Sequence, residues 1–158
     1  MIGRFINKWK VFYFMGEELE ILIGFHEKNT QQSTIARKVL EREGYKVITV
    51  HSVDDMIKEM GISHGREPNH NYECPYAAIV MDVNLGNPGQ ADLQPALTIY
   101  DHVQRQVQDG SVKLIVVTAD QSVYEKAGRE LDRNVICLMK PYNIKDLRES
   151  VTPKSNAA

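Results

Sequence analysis

The sequence has little cysteine: two residues in 158, Cys74 and Cys137. Two are too few for a disulfide scaffold and sit in no metal-type spacing, so a reducing cytoplasm is the expected compartment. Long hydrophobic runs are also missing. The longest near the N-terminus is Val11–Met15, whereas a membrane span needs about 20 apolar residues. That run is also too short for the apolar region of a signal peptide, although Arg4, Lys8 and Lys10 precede it. Charge of one sign is not in excess. With 19 basic against 21 acidic side chains and a formal net charge of −2, there is no global electrostatic reason to bind nucleic acid. Repeats and low-complexity tracts are absent as well. What is there, 42% hydrophobic and 25% charged residues, describes an ordinary globular chain. Its length suffices for one domain that buries roughly 68–70% of its unfolded surface.

Five short apolar runs recur along the chain: Ile21–Phe25, Val47–Val50, Ala77–Met81, Leu114–Val117 and Val135–Met139. Each is rich in β-branched residues and none alternates with polar residues for long, as expected of strands covered on both faces. Between them the period becomes helical. Ile35, Ala36, Val39 and Leu40 line one face, closed by Gly44. Val53, Met56, Ile57 and Met60 line a second, opened by Ser52 with Asp55 three residues on. Leu93, Ala96, Leu97, Tyr100 and Val103 form the longest stripe, with Pro95 suited to a first turn. Val123, Ala127 and Leu131 give a fourth helix, and Ile144, Leu147 and Val151 a fifth, capped by Asn143. Strand and helix thus alternate five times. Parallel strands need crossovers, and right-handed crossovers put helices on both faces. The predicted fold is α/β: a five-stranded, doubly wound parallel sheet.

The expected boundaries are an N-terminal extension over 1–18, a domain over 19–152 and a tail over 153–158. The extension carries Phe5, Trp9, Phe12 and Tyr13 at helical spacing, and Gly61–Pro75 reads as an inserted loop. His64, His70 and Cys74 share that loop but match no standard zinc pattern.

In open parallel sheets, ligands bind beyond the carboxyl ends of the strands. The residues there are His26, Glu27 and Lys28 after the first run, Asp82 and then Asn84 after the third, Thr118 after the fourth, and Lys140-Pro141 after the fifth. Singly, each has a plainer use as turn former, strand end or solvated charge. Together they have a chemical one: a carboxylate nucleophile toward a phosphoryl group, a hydroxyl donor to one phosphoryl oxygen, and an ammonium that neutralises another. No glycine-rich phosphate loop follows the first run, which argues against an enzyme on this fold such as a phosphatase or flavoprotein.

These residues resemble the response-regulator receiver domains of two-component signalling, over about Ile21 to Val151, and the resemblance implies a flavodoxin-like (β/α)5 fold with strand order 2-1-3-4-5. The carriers are Ile79-Val80-Met81-Asp82, Val116-Val117-Thr118-Ala119 and Leu138-Met139-Lys140-Pro141-Tyr142. The resemblance implies phosphorylation of Asp82 by a histidine kinase or phosphotransfer protein, with Thr118 and Lys140 contacting the phosphoryl group. It also implies a Mg²⁺ site using Glu27, Asp82 and the Asn84 carbonyl. Only 16 residues follow Tyr142, so the expectation is a stand-alone receiver, not an enzyme, signalling through a downstream protein partner. The face of the fourth helix, fifth strand and fifth helix would carry that contact, and a homodimer is an allowed assembly. The alternative is a pseudo-receiver that is not phosphorylated and acts by binding alone.

Three departures from the resemblance bear on that choice. The family has two adjacent acidic residues after its first strand. Counting back from Gly44 through the first helix puts Glu27 and Lys28 at those positions; counting along the strand puts Phe25 and His26 there. The helix count keeps Ile35 on the buried face and is preferred. Lys28 in place of an acid weakens Mg²⁺, since one charge pair at about 4 Å is worth roughly 4 kcal/mol at an effective dielectric near 20. Lys28 is therefore expected either to pair with Asp82 or to point to solvent. Second, Cys137 stands where the family often has an aromatic residue that moves with the threonine. Third, the segment Asn84–Asp92 is longer than the usual turn, with Gly86, Pro88 and Gly89 as a lid beside the acceptor.

Overall fold

A computed structural model describes residues 18–63, 67–69 and 71–152. The aromatic stripe of the N-terminal extension, the histidines His64 and His70, and the tail lie outside the described residues. Five strands, β1 (Glu20–Gly24), β2 (Lys46–Val50), β3 (Ala78–Asp82), β4 (Lys113–Thr118) and β5 (Ile136–Met139), form one parallel sheet in the order β2-β1-β3-β4-β5. Five α-helices alternate with them: α1 (Thr30–Arg42), α2 (Val53–Met60), α3 (Gln94–Gln108), α4 (Gln121–Glu130) and α5 (Ile144–Val151). The expected class and strand order are therefore observed.

The strand period of two sorts the core into two layers. Leu22, Ile79, Met81, Leu114 and Val116 point to one face, where they meet α2, α3 and Ala127 of α4. Ile21, Ile23, Ala78, Val80, Ile115 and Val117 point to the other, where they meet Ala36 and Leu40 of α1 and Leu147 and Val151 of α5. Each such aliphatic side chain contributes about 1.5–3 kcal/mol when fully buried. Capping follows the sequence: Ser52 accepts from the Asp55 N–H at 3.1 Å, and Asn143 from the Asp146 N–H at 2.7 Å. Gly44 sits just beyond α1 at φ +95°, a conformation that glycine adopts without steric cost.

Two expected core residues are on the surface. Ile35 is 48% exposed and Ile144 51% exposed. In α1 the buried face is Ser33, Ala36, Val39 and Leu40. Ser33 bonds the Thr30 carbonyl at 2.9 Å, which satisfies its hydroxyl in the interior and leaves Ile35 on the flank. Ile144 opens α5 one turn before that helix settles on the sheet at Leu147. In α3 the pattern understated the interior, because Ile99 and Val107 are buried too.

The inserted loop is fastened to the first of the two core layers. Tyr72 donates to the Met60 carbonyl at 2.5 Å, and the buried Cys74 N–H donates to Gln106 Oε1 at 3.2 Å. The segment after Asp82 is anchored as well: Leu85 is buried, and Asp92 N–H donates to the Val83 carbonyl at 3.0 Å. The lengthened turn is thus a loop closed on itself.

Candidate functional site

Parallel register brings the carboxyl ends of β1, β3, β4 and β5 to one edge of the sheet. Val83 N–H bonds the Val117 carbonyl at 3.0 Å, and Lys140 N–H bonds the Thr118 carbonyl at 2.7 Å. These two bonds extend the ladder one step past the strands and fix where Asp82 and Lys140 stand relative to Thr118.

Asp82 closes β3 and is fully buried, with 0% exposure. Its Oδ1 accepts from the Asn84 backbone N–H at 2.9 Å. Its Oδ2 is paired with the Lys140 ammonium, whose side chain is 15% exposed. An unpaired carboxylate at such depth is costly, and the Lys140 ammonium offsets that cost. Thr118 is buried beside them, and its Oγ1 accepts from the Asp120 N–H at 3.0 Å. Asp120 in turn caps α4, accepting from Val123 N–H and Ser122. These two bonds, with Ser122 as the larger cause, hold the exposed Asp120 carboxyl below its ordinary range. The three residues expected at this edge are brought to it, and two of them are in direct contact.

The fourth wall differs from the expectation. β1 is in register with β3 at Gly24 and Met81, so the residue that follows β1 stands beside Asp82. That residue is Phe25, with 0% exposure. Its N–H donates to the Val50 carbonyl at 3.2 Å, and the His51 ring donates from Nδ1 to the Phe25 carbonyl at 2.9 Å. The Lys140 Nζ lies 5.9 Å from the centroid of the Phe25 ring, within cation–π range. The sequence assigns neither Phe25 nor His51 to the site; the strand count offers Phe25 as the alternative, and His51 carries no signal.

Glu27 and Lys28 lie instead in an exposed 3-10 turn, Glu27–Asn29, between β1 and α1. His26 opens that turn by accepting from the Lys28 N–H at 3.2 Å. The turn absorbs the two residues by which the strand count and the helix count differ. Lys28 is therefore a surface charge, and Lys140 is the ammonium that pairs with Asp82.

This edge does not fit a resident Mg²⁺. The ion takes oxygen ligands in near-octahedral geometry. Here one wall is an aromatic ring, and Asp82 spends its oxygens on an N–H and an ammonium. No group of three or more His, Cys, Asp or Glu side chains able to hold a metal occurs among the described residues. A divalent ion about 4 Å from the Lys140 ammonium would also meet roughly 8 kcal/mol of repulsion at an effective dielectric near 20, enough to cancel the attraction of Asp82 from a like distance. The expected set of Glu27, Asp82 and the Asn84 carbonyl is corrected at Glu27, which is exposed on the turn and leaves Asp82 without a second acid.

Tyr142 borders the centre. Burial, and secondarily the Asp82 charge, push the Tyr142 phenol above its ordinary value. Burial likewise raises the thiol of Cys137, which is half-buried on β5. Next to Lys140 an apolar groove of about 500 Å³ runs between α1 and α5, with Ile35, Val39, Tyr142, Ile144 and Leu147 in its walls. The exposure of Ile35 and Ile144 belongs to this groove.

The sequence matches no family model and no curated protein. Solved structures do match. A response regulator receiver protein from Sinorhizobium medicae WSM419 shares 16% identity, with 85% of this chain and 92% of that one covered, at a TM-score of 0.59. A response regulator receiver domain protein from Methanospirillum hungatei JF-1 shares 21% identity over 85% and 91%, at 0.58. A response regulator from Burkholderia pseudomallei, solved with a phosphorylated aspartic acid, a calcium ion and citrate, shares 20% over 86% and 67%, at 0.57. No helix among the described residues is long and apolar enough to cross a membrane. At these identities the likeness speaks for architecture, and with the observed strand order it shows that the chain has the response-regulator receiver fold.

Proposed function

We propose that this chain is a receiver-type signalling module whose Asp82 accepts a phosphoryl group and whose output is a protein–protein contact. The observation that supports this reading best is the buried pairing of Asp82 with Lys140 at the carboxyl edge of the sheet, beside Thr118. In the transfer step, one Asp82 oxygen attacks phosphorus as the phosphorus–nitrogen bond of a donor phosphohistidine breaks. The electron pair of that bond returns to the imidazole. Lys140 then neutralises the charge added on the phosphoryl oxygens, and Thr118 donates its hydroxyl once it leaves the Asp120 N–H. Since Asp82 has no exposure, a donor reaches it only past the Lys140 side chain.

The donor is a histidine kinase or a phosphotransfer protein, and the apolar groove opening beside Lys140 offers it a face. In this reading the chain is cytoplasmic and catalyses no turnover of its own. Intact mass after incubation with a small phosphodonor tests the reading. Wild type should gain one phosphoryl group, and Asp82→Asn should gain none. Equal labelling of both proteins would remove Asp82 as the acceptor.

A second reading is carried by Phe25. An aromatic wall and an acceptor with no exposure suit a pseudo-receiver that binds partners without being phosphorylated. A wild type that stays unlabelled under conditions that label an ordinary receiver would select it.

A further inference from the structure

We infer that Lys140 is the built-in cation of the Asp82 centre, and that Phe25 replaces a divalent-metal site by holding that ammonium in place. This deepens the reading of Asp82 as a phosphoacceptor and rests on it only for the word acceptor, because the charge arrangement stands whether or not phosphate arrives.

Three observations converge on it. The Lys140 ammonium is paired with Asp82 Oδ2 and lies over the face of Phe25. One contact supplies a full negative charge, and the other the negative face of a ring in a site where water is largely excluded. Phe25 is also held at both ends of its own residue, by Val50 on its N–H and by His51 on its carbonyl. The ring is therefore a fixed wall. Finally, the acid nearest in sequence, Glu27, is exposed on the 3-10 turn. The local charge at the centre is already balanced, one carboxylate against one ammonium. A divalent ion would have to displace the ammonium and would still find an aromatic ring where it needs an oxygen.

The chemical consequence concerns an incoming dianionic phosphoryl group. It meets a single monovalent cation that travels with the chain, so loading of this centre is independent of free Mg²⁺. Chelators should leave it unchanged, and divalent ions should not tighten it.

Calorimetric titration of the full chain with Mg²⁺, and Mn²⁺ titration followed by electron paramagnetic resonance, test the inference directly. Wild type should show no saturable binding at millimolar ion and no Mg²⁺-dependent rise in Tm. Phe25→Asp restores an acid beside Asp82 and should bind at least about tenfold tighter than wild type, with a Tm that climbs as Mg²⁺ is added. If Phe25→Asp does not fold, wild type still decides the matter. Saturable Mg²⁺ binding to wild type that disappears in Asp82→Asn would overturn the inference. Phosphodonor labelling with and without chelator separates it from the reading it rests on. Equal labelling in both supports the inference, and labelling that needs Mg²⁺ overturns it. No labelling in either, with no Mg²⁺ binding, removes the acceptor role and leaves the ammonium as the cation of the centre.

Discussion

The ammonium of Lys140 faces the ring of Phe25, 5.9 Å from its centroid, while paired with a carboxylate that has no exposure. Removing the ammonium should therefore cost more than losing a surface ion pair, because Asp82 would be left buried and uncompensated. Lys140→Met is expected to lower stability by about 3 kcal/mol in urea unfolding at neutral pH. Asp82→Asn combined with Lys140→Met should recover most of that loss, since it leaves no buried charge. A double variant as unstable as Lys140→Met alone would mean that the lysine stem, not the charge, supports the fold.

The ring's share of this arrangement can be measured separately. Phe25→Leu keeps an apolar wall and removes the aromatic face. Its loss in unfolding free energy contains a repacking part and a cation–π part, the latter about 1 kcal/mol for a partly desolvated ammonium. In the Lys140→Met background only the repacking part remains. The double-mutant cycle should therefore show a coupling of about 1 kcal/mol between Phe25 and Lys140. A coupling near zero would show that the two are neighbours without attraction.

The parallel sheet and the edge bearing Asp82, Thr118 and Lys140 are legible in the sequence because strand runs and helix stripes have different periods, and the strand order follows from the resemblance. The metal wall is not. Its position depends on whether the residues between Gly24 and Thr30 belong to the strand, the helix or neither. Three of them, Glu27–Asn29, form a 3-10 turn of their own, which no apolar period reveals. The same ambiguity misplaced Ile35, since keeping it inside α1's buried face was the reason for choosing the helix count. The polar Ser33 takes that buried position through its bond to Thr30, and polarity patterns do not anticipate a self-satisfied serine. Stability measurements should show the difference. Ile35→Ala and Ile144→Ala are expected within about 0.5 kcal/mol of wild type, as for surface substitutions. Leu40→Ala and Ile99→Ala, both at 0% exposure, should each cost about 2–5 kcal/mol. Large losses at Ile35 or Ile144 would place them back in the interior.

Tyr142 reports on the charge of Asp82. Burial raises its phenol first and the Asp82 carboxylate second, so the folded protein favours the protonated ring. A raised folded value means that this contribution to stability is full below the ordinary tyrosine value near 10, and is lost as pH rises through the folded value. In Asp82→Asn the second cause is gone and the first remains. The Tyr142 phenol should then titrate at lower pH than in wild type, while still above its ordinary value. The difference in tyrosinate absorbance between each protein and its Tyr142→Phe partner isolates this one ring from the other tyrosines. The same comparison should show that alkaline unfolding of Asp82→Asn depends less on Tyr142 than that of wild type does. An unchanged titration in Asp82→Asn would mean that Lys140 already cancels the Asp82 field at the ring, leaving burial as the sole cause of the raised value.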